Sequence, residues 1–280
     1  MNKCIFIVEM SGCLNYIKVR CVRMKKIAII YFSGTGNTKF IAENLKLEIT
    51  NQKVDLINIE RDRLNPEEYE SIIIGGPVYA ERYPEILLKY IEENLNKYNG
   101  KCMLFTTQAS KNETYAFQHA INRLDFLNIT YCMYVTMPNN FYNFMFKMSS
   151  KEEEKMLIRQ SVKLIRRGIE EFFNDAKKFY PKKKINVDII DIVYNLVYPY
   201  YINYLTKKIN IDVSKCSNCK LCEKRCPVNC IKITDRATFN SNCIFCQRCM
   251  CNCPNEAFLY KNKKFIQYRP NFREYNKSLD

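Results

Sequence analysis

The sequence predicts an α/β protein in which a doubly wound, five-stranded parallel sheet is followed by a small α+β domain built around cysteines. The first observation is that short apolar runs alternate with helical stretches between Ile27 and Met137. This alternation is typical of a parallel sheet covered by helices on both faces. The second is that ten of the 15 cysteines fall between Cys216 and Cys253. With 280 residues, 47% of them hydrophobic, the chain is long enough for one large domain or two modest ones.

The elements of the first domain follow from apolar periodicity and from residues that start helices. Pro84 predicts a helix start, because proline suits the first turn of a helix. In chain order we expect a strand at Ile27–Phe32, a helix at 39–49, strands at Val54–Ile59 and Ser71–Ile74, a helix from Pro84, a strand at Cys102–Thr106, a helix at Glu113–Leu127 and a strand at Ile129–Met137.

The second half of the chain begins with a predicted long helix. Ser150 and Glu153 have the spacing of an N-terminal capping box, and we expect the helix to run to about Phe179. Residues 185–212 are rich in tyrosine and interrupted by Pro199, which predicts a connector packed on one of its neighbours. The expected domains are an N-terminal extension (1–23), the sheet domain (24–147), a helical connector (148–215), the cysteine-rich domain (216–260) and a basic tail (261–280).

The sequence favours a cytoplasmic protein. No stretch approaches the 18 or so apolar residues of a transmembrane helix, and the apolar run Cys4–Val8 is too short for a signal peptide. Met24 lies just before the first strand and reads as a natural start, so we interpret residues 1–23 as an extension. An odd number of cysteines without an export signal favours metal binding over a disulfide framework.

A hydroxyl-rich glycine loop follows the first strand and predicts a phosphate site. Backbone N–H groups and the positive end of a helix dipole favour an anion at this position. The loop lacks the Gly-Lys-Ser/Thr ending of a nucleotide-triphosphate loop, and Lys39 stands where a dinucleotide fingerprint has its third glycine. We therefore expect a monoester phosphate, bound by Ser33, Gly34, Thr35, Gly36, Asn37 and Thr38.

Two copies of the motif C-x2-C-x2-C-x3-C-P lie 27 residues apart, which indicates an internal duplication. This motif is typical of bacterial ferredoxins, in which the fourth cysteine binds the other cluster. One [4Fe–4S] cluster is expected on Cys216, Cys219, Cys222 and Cys253, and the other on Cys243, Cys246, Cys249 and Cys226. Zinc is the alternative, but it favours two separated pairs of cysteines.

The duplication also distinguishes the cysteines that we expect to bind clusters, which recur in both motifs, from those that do not recur. Cys230 corresponds to Ala257, so we expect it to be a small packing residue, and Cys251 corresponds to Lys224. Cys102 and Cys132 fall in predicted strands and are expected in the core.

The glycine loop resembles the phosphate loop of the flavodoxin family, and the run from Gly75 to Ala80 resembles the loop that flanks the isoalloxazine ring in that family. The resemblance implies FMN, with Tyr79 as the stacking aromatic and a third loop after strand four. Besides the phosphate-loop residues, the resemblance assigns the following residues to the flavin site: Gly76, Pro77, Val78, Tyr79, Ala80, Thr106, Thr107 and Gln108. Residues 24–147 and 216–260 together resemble the ferredoxin–flavodoxin fusion proteins of anaerobes, as does the segment Met137–Asn140.

The net charge of +15 lies mostly in the second half of the chain. Lys and Arg outnumber Asp and Glu by 14 to 9 in residues 148–215 and by 12 to 5 in residues 216–280, whereas residues 24–147 carry 14 of each sign. We therefore expect an acidic redox partner to dock at the cluster end, near Lys220, Lys224 and Arg248. We expect no nucleic-acid partner and no stable membrane insertion. An amphipathic membrane contact of residues 185–212, which Lys207 and Lys208 flank, remains an alternative.

These features predict an electron-transfer protein that carries FMN and two [4Fe–4S] clusters. The first alternative is a flavin-dependent reductase of a small molecule or quinone that the clusters supply, and the second is a redox- or iron-sensing module. A substrate cavity above the flavin would favour the reductase, whereas an open, shallow flavin edge would favour the carrier. The only histidine, His119, is expected at the surface of a helix, which leaves no pair of imidazoles for catalysis.

Overall fold

The computed structural model describes residues 26–141, 147–180 and 187–272. Its first half is a parallel sheet with the strand order β2-β1-β3-β4-β5, which is the flavodoxin-like order of a doubly wound fold. The predicted fold class is therefore confirmed. In chain order the elements are β1 (Lys26–Tyr31), α1 (Asn37–Glu48), β2 (Lys53–Asn58), β3 (Tyr69–Pro77), α2 (Glu85–Leu95), β4 (Lys101–Gln108), α3 (Ala116–Arg123) and β5 (Asn128–Thr136).

Both faces of the sheet are buried, which explains why its strands have continuous apolar runs. Ile27 and Ile29 of β1 point to the side covered by α1, whereas Ala28 and Ile30 point to the side covered by α2. Helix α3 is shorter than predicted, and its His119 is only 8% exposed. Burial lowers the pKa of His119, so the expectation of a surface histidine is wrong.

Helix α4 (Lys151–Phe173) packs on α1 and completes the sheet domain. The Ser150 hydroxyl accepts a hydrogen bond from the backbone N–H of Glu153 at 3.1 Å, as the capping box predicts. The helix ends earlier than the expected Phe179, because Asp175 adopts a left-handed backbone conformation with φ of 60°.

Helix α5 (Val187–Thr206) is continuous through Pro199 and contacts both domains. Near its start, Asp191 forms an ion pair with Arg82 of the sheet domain, whose guanidinium lies 3.7 Å from the centre of the Tyr194 ring. Near its end, Ile202 and Leu205 are buried in the core of the cysteine-rich domain. The connector therefore packs on two neighbours, whereas the sequence predicted one.

The cysteine-rich domain consists of a three-stranded sheet, a hairpin and two short helices. Its sheet has the order β10-β9-β6, and β7 pairs with β8. The sheet extends beyond the predicted range 216–260 on both sides. The elements are β6 (Ile209–Ile211), α6 (Leu221–Lys224), β7 (Ile231–Ile233), β8 (Ala237–Phe239), α7 (Arg248–Cys251), β9 (Phe258–Tyr260) and β10 (Lys263–Lys264).

The sequence duplication reappears in the backbone. Three pairs of residues, each separated by 27 positions, share a left-handed conformation: Asn218 and Phe245, Lys220 and Gln247, and Asn229 and Glu256. Non-glycine residues rarely adopt this conformation, so its recurrence shows that the two motifs share one chain path.

The segment after β10 returns to the sheet domain instead of extending as a tail. The Tyr268 hydroxyl donates a hydrogen bond to Asn37 Oδ1 at 2.6 Å, and Phe272 stacks on Phe40 with ring centres 4.4 Å apart. The predicted extension 1–23 and the last eight residues lie outside the described residues. In the parts of the chain that the structure describes, no helix is long and apolar enough to cross a membrane.

Candidate functional site

A cavity of about 310 Å³ lies at the carboxyl ends of β1, β3 and β4. This is the edge at which ligands bind in doubly wound sheets. The three predicted loops meet there and supply eleven of the fourteen residues that the sequence assigned to the flavin. These are Ser33, Gly34, Thr35, Asn37, Thr38, Pro77, Val78, Tyr79, Ala80, Thr107 and Gln108.

The other three predicted residues do not line this cavity. Gly36 is the N-cap of α1 and has φ of 118°, a conformation that favours glycine. A Cβ atom on Gly76 would clash with Tyr83 and Leu87, so this glycine permits close packing of the sheet. Thr106 is fully buried within β4.

The loop after β1 has the features of an anion site. The Ser33 hydroxyl accepts hydrogen bonds from the backbone N–H groups of Gly36 and Lys39, both at 3.2 Å. It can therefore still donate its own proton to a phosphate. Thr38 and Thr107 share a hydroxyl–hydroxyl hydrogen bond of 2.7 Å, and the first turn of α1 contains no acidic residue. An anion would meet hydroxyl donors and the positive end of a helix dipole.

Asn37 has a structural role in addition to the one that the sequence predicted. Its side-chain amide donates to the Pro138 carbonyl at 3.0 Å, and its oxygen accepts from Tyr268. Both ends of the Asn37 amide therefore bind protein, and the side chain ties the phosphate loop to the end of β5 and to the C-terminal segment.

The far wall of the cavity contains residues that were not assigned to the flavin from the sequence. They come from the segment after β5, helix α5 and the second cysteine motif: Asn139, Asn140, Phe141, Tyr198, Tyr201, Ile202, Leu205, Ile244, Phe245, Cys246 and Gln247. Ala109, the last residue of the expected third loop, also lines the cavity. The Asn140 amide donates to the Thr35 hydroxyl. The resemblance at Met137–Asn140 was the one sequence signal for this wall.

Gly34 allows the cysteine-rich domain to approach the phosphate loop. A Cβ atom on Gly34 would clash with the Tyr79 hydroxyl and would lie 3.0 Å from the Cys246 carbonyl oxygen. Tyr79 therefore lies where the loop after β3 meets the second cysteine motif. Burial raises the pKa of Tyr79 well above 10, which keeps its hydroxyl protonated.

The eight motif cysteines divide between two smaller cavities. The first is lined by Cys216, Cys219, Cys222 and Cys253. The second is lined by Cys226, Cys243, Cys246 and Cys249, together with Cys230. Each cavity thus combines three cysteines of one motif with the fourth of the other. In the described ranges, no three Cys, His, Asp or Glu side chains converge closely enough to hold a single metal ion.

Backbone N–H groups donate to several of these sulfurs. Cys226 Sγ accepts from the N–H of Cys230 at 3.3 Å, and Cys253 Sγ accepts from the N–H of Ala257 at 3.4 Å. The two bonds occupy equivalent positions in the duplicated motifs, because Cys253 and Ala257 lie 27 residues after Cys226 and Cys230. Such bonds stabilise thiolates and affect the reduction potential of a bound cluster.

The remaining described cysteines are buried. Cys230 lies with its sulfur 3.5 Å from that of Cys226, and this contact is the largest cause of a fall in the Cys226 pKa to about 5. Cys251 belongs to the apolar core, and burial raises its pKa to about 11. Burial raises the pKa of Cys102 and Cys132 to about 12, so these two thiols are protonated core residues.

Two family models match this chain. Residues 28–126 match the flavodoxin domain model, and residues 209–232 match the 4Fe-4S binding domain model. The chain carries a flavodoxin domain and a 4Fe-4S domain. The resemblance to flavodoxin–ferredoxin fusions is thereby confirmed at the level of its two domains.

Solved structures and a curated relative match parts of the chain. A flavoprotein from Lactobacillus acidophilus in complex with FMN is 22% identical, covers 39% of this chain and 93% of its own, and has a TM-score of 0.36. Oxidised flavodoxin 1 from Bacillus cereus is 17% identical, covers 54% and 98%, and has a TM-score of 0.39. An uncharacterized protein from Methanocaldococcus jannaschii is 40% identical over 53 residues, or 19% of this chain. The match spans only 21% of that relative.

Arg248 joins the two domains at the cavity. Its guanidinium forms two hydrogen bonds with the Glu60 carboxylate, at 2.6 and 2.7 Å, and donates to the carbonyl oxygens of Ser33 at 2.7 Å and Gly34 at 3.1 Å. The Arg248 side chain is only 13% exposed. The expectation that Arg248 belongs to a partner-docking surface is therefore wrong. In the first motif its position is taken by Leu221, 27 residues earlier.

We predict that Arg248→Leu weakens FMN binding about tenfold or more while leaving the iron content unchanged. The substitution leaves Glu60 buried without its charge partner and frees two carbonyls of the phosphate loop, and breaking a buried ion pair costs about 3 kcal/mol. The measurement is fluorescence titration of the apoprotein with FMN.

Lys224→Leu is the matched control, because it removes one positive charge from an exposed position of the same domain. Its FMN affinity should equal that of the wild type. An unchanged FMN affinity in Arg248→Leu would show that the contact does not shape the loop.

Proposed function

We propose that this protein passes electrons between FMN, two [4Fe–4S] clusters and redox partner proteins. The observation that carries the proposal is that Cys246 lines both the cavity of the flavodoxin domain and one of the two cysteine cavities. FMN exchanges one or two electrons and each cluster exchanges one, so the combination suits a protein that links one-electron and two-electron carriers.

The residues around the cavity at the carboxyl ends of β1, β3 and β4 fit FMN. Its volume of about 310 Å³ is at the lower end for ligand pockets, which range from about 300 to 1,000 Å³. The phosphate end has hydroxyl donors and a helix N-terminus, and the remainder is lined by apolar and aromatic residues such as Val78, Tyr79 and Tyr198. FMN matches this division between a polar end and an apolar remainder, because it combines a phosphate with a flat aromatic ring system.

The cysteine-rich domain fits two clusters. Each group of four cysteines surrounds its own cavity, and the duplicated backbone gives the two groups the same chain path. Six of the eight motif cysteines pack against the apolar core of the domain. An apolar surround and N–H donors are features that set the reduction potential of iron–sulfur clusters.

The arrangement also suggests an order for the three centres. The group that contains Cys246 lies against the flavin cavity, whereas Cys219 of the other group is exposed. The Cys246 group would therefore lie between FMN and the group that contains Cys219. We propose that partner proteins exchange electrons at the Cys219 end.

The alternative is a flavin-dependent reductase of a small molecule or quinone. One observation favours it: Tyr198, Tyr201 and Phe141 cover the cavity, so its edge is not the open, shallow one that the carrier interpretation expects. The modest volume favours the carrier, because a cavity filled by FMN leaves little room for a second molecule. We therefore keep the carrier as the main proposal.

Partner choice and location complete the proposal. Lys220 and Lys224 are exposed near Cys219, and the surplus of basic residues in this domain would attract an acidic redox protein. We propose the cytoplasm as the location, because a reducing compartment keeps ligand thiols available.

We predict about eight irons and one FMN per chain after anaerobic reconstitution, because eight cysteines satisfy two [4Fe–4S] clusters. Cys219→Ser should lose about half of the iron. The matched control is Cys251→Ser, which changes a core cysteine and should keep the full iron content. Iron and sulfide analysis together with visible spectra measure the outcome. Bound zinc in place of iron, or equal iron loss in both variants, would contradict two clusters on these ligands.

We predict that electron exchange with an acidic ferredoxin slows as ionic strength rises, because salt screens attraction between exposed charges. The double substitution of Lys220 and Lys224 by Gln should flatten this dependence without changing FMN content. Lys163→Gln, on the exposed side of α4, is the control and should behave as the wild type does. Stopped-flow rates at several salt concentrations measure the effect, and a rate that salt does not alter contradicts the proposed docking end.

A further inference from the structure

The outer face of α5 is an apolar surface. A helix on the surface of a protein normally directs polar side chains outward, but here five of the exposed side chains are large and hydrophobic. They are Ile192, Leu196, Val197, Tyr200 and Tyr204, with exposed fractions of 59%, 62%, 57%, 78% and 53%. The gaps between successive members are four, one, three and four residues, which puts all five on one broad side of the helix. A continuous exposed surface of this kind marks an interaction site.

The inner face of the same helix is already occupied. Ile202 and Leu205 are 5% exposed and belong to the core of the cysteine-rich domain, against which Tyr198 also packs. Tyr198, Ile202 and Leu205 also line the cavity of the flavodoxin domain. Among the residues that the structure describes, the outer apolar side chains are therefore not part of the core.

A basic groove lies at the C-terminal end of α5. A cavity of about 450 Å³ is lined by Lys207, Lys208, Arg236 and Lys261, together with the hydrogen-bonding side chains of Asn203, Thr206, Asn210, Thr238 and Asn262. The Lys208 ammonium lies 4.6 Å from the centre of the Tyr204 ring, so the basic groove adjoins the apolar face. The groove has the charge and the donors to bind a phosphate-bearing headgroup.

We infer that the outer face of α5 docks on the surface of an anionic phospholipid bilayer. Interfacial helices combine an apolar face with lysines nearby, and they lie in the plane of the membrane without crossing it. Tyrosine suits this depth because its ring is apolar and its hydroxyl is polar. Each lysine near an anionic surface adds to the attraction, and the basic groove binds the lipid phosphate beside the buried apolar face.

The negative charge of an acidic protein would account for the basic groove alone. It would not account for the apolar face, which extends over about three turns from Ile192 to Tyr204. A bilayer satisfies both features at once, because it presents phosphate groups immediately above hydrocarbon. Docking in this way brings α5, whose inner side chains line the flavodoxin-domain cavity, to the membrane surface. Docking of α5 on a membrane does not depend on the proposed electron transfer.

The test is flotation of the anaerobically purified holoprotein with vesicles of phosphatidylcholine alone and with vesicles of phosphatidylcholine and phosphatidylglycerol in equal parts. The wild type should float with the anionic vesicles. The double variant Leu196→Ser, Tyr200→Ser should bind these vesicles at least about tenfold more weakly, because it removes apolar surface from the buried side. Lys207→Gln should weaken binding about fivefold, the effect of one charge near an anionic surface.

Matched controls come from α1, where Leu47 is 66% exposed and Lys46 is also exposed. Leu47→Ser and Lys46→Gln should bind vesicles as the wild type does, and all variants should keep the wild-type visible spectrum. The inference is overturned if the wild type does not float with anionic vesicles or if the α1 variants lose binding equally. It is also overturned if sedimentation shows that the outer face of α5 forms a dimer that the Leu196→Ser, Tyr200→Ser variant disrupts, since a second copy would then cover it.

Discussion

The arrangement of the two domains depends on the contact between Arg248 and the loop after β1. The guanidinium binds the Glu60 carboxylate and the carbonyl oxygens of Ser33 and Gly34, and its own helix begins two residues after Cys246. A charged side chain that is mostly buried requires paired hydrogen bonds, so Arg248 has few alternative positions. This contact holds the second cysteine motif against the flavin cavity.

Only one of the two duplicated motifs has this contact, because the motifs differ at the position of Arg248. The motifs share their cysteine spacing and left-handed residues, so either could in principle hold a cluster near the flavin. The second has Arg248 and the first has Leu221 at the corresponding position. Among the positions at which the motifs differ, this one carries the contact with the loop after β1, and Cys219 of the other motif is exposed.

The sequence was sufficient for the sheet, because continuous apolar runs are local signals, and for the grouping of cysteines, because the motif is typical of bacterial ferredoxins, in which the fourth cysteine binds the other cluster. It was not sufficient for contacts between distant segments. Arg248 looked like one more basic residue, and the partners of Asn37 are 101 and 231 residues away along the chain. The connector was equally ambiguous: α5 is apolar on most sides, so periodicity alone could not separate its buried side from its exposed one.

The central claim is that Cys246 brings one cluster to the flavin cavity within a single chain, and the kinetics of electron transfer to FMN test it most directly. A photochemical pulse reduces the clusters of the anaerobic holoprotein, and the absorbance of FMN is then followed at several protein concentrations. The account predicts a first-order rate of FMN reduction that does not change with protein concentration, because donor and acceptor belong to one chain. A rate that rises in proportion to protein concentration would show transfer between molecules and would contradict the account.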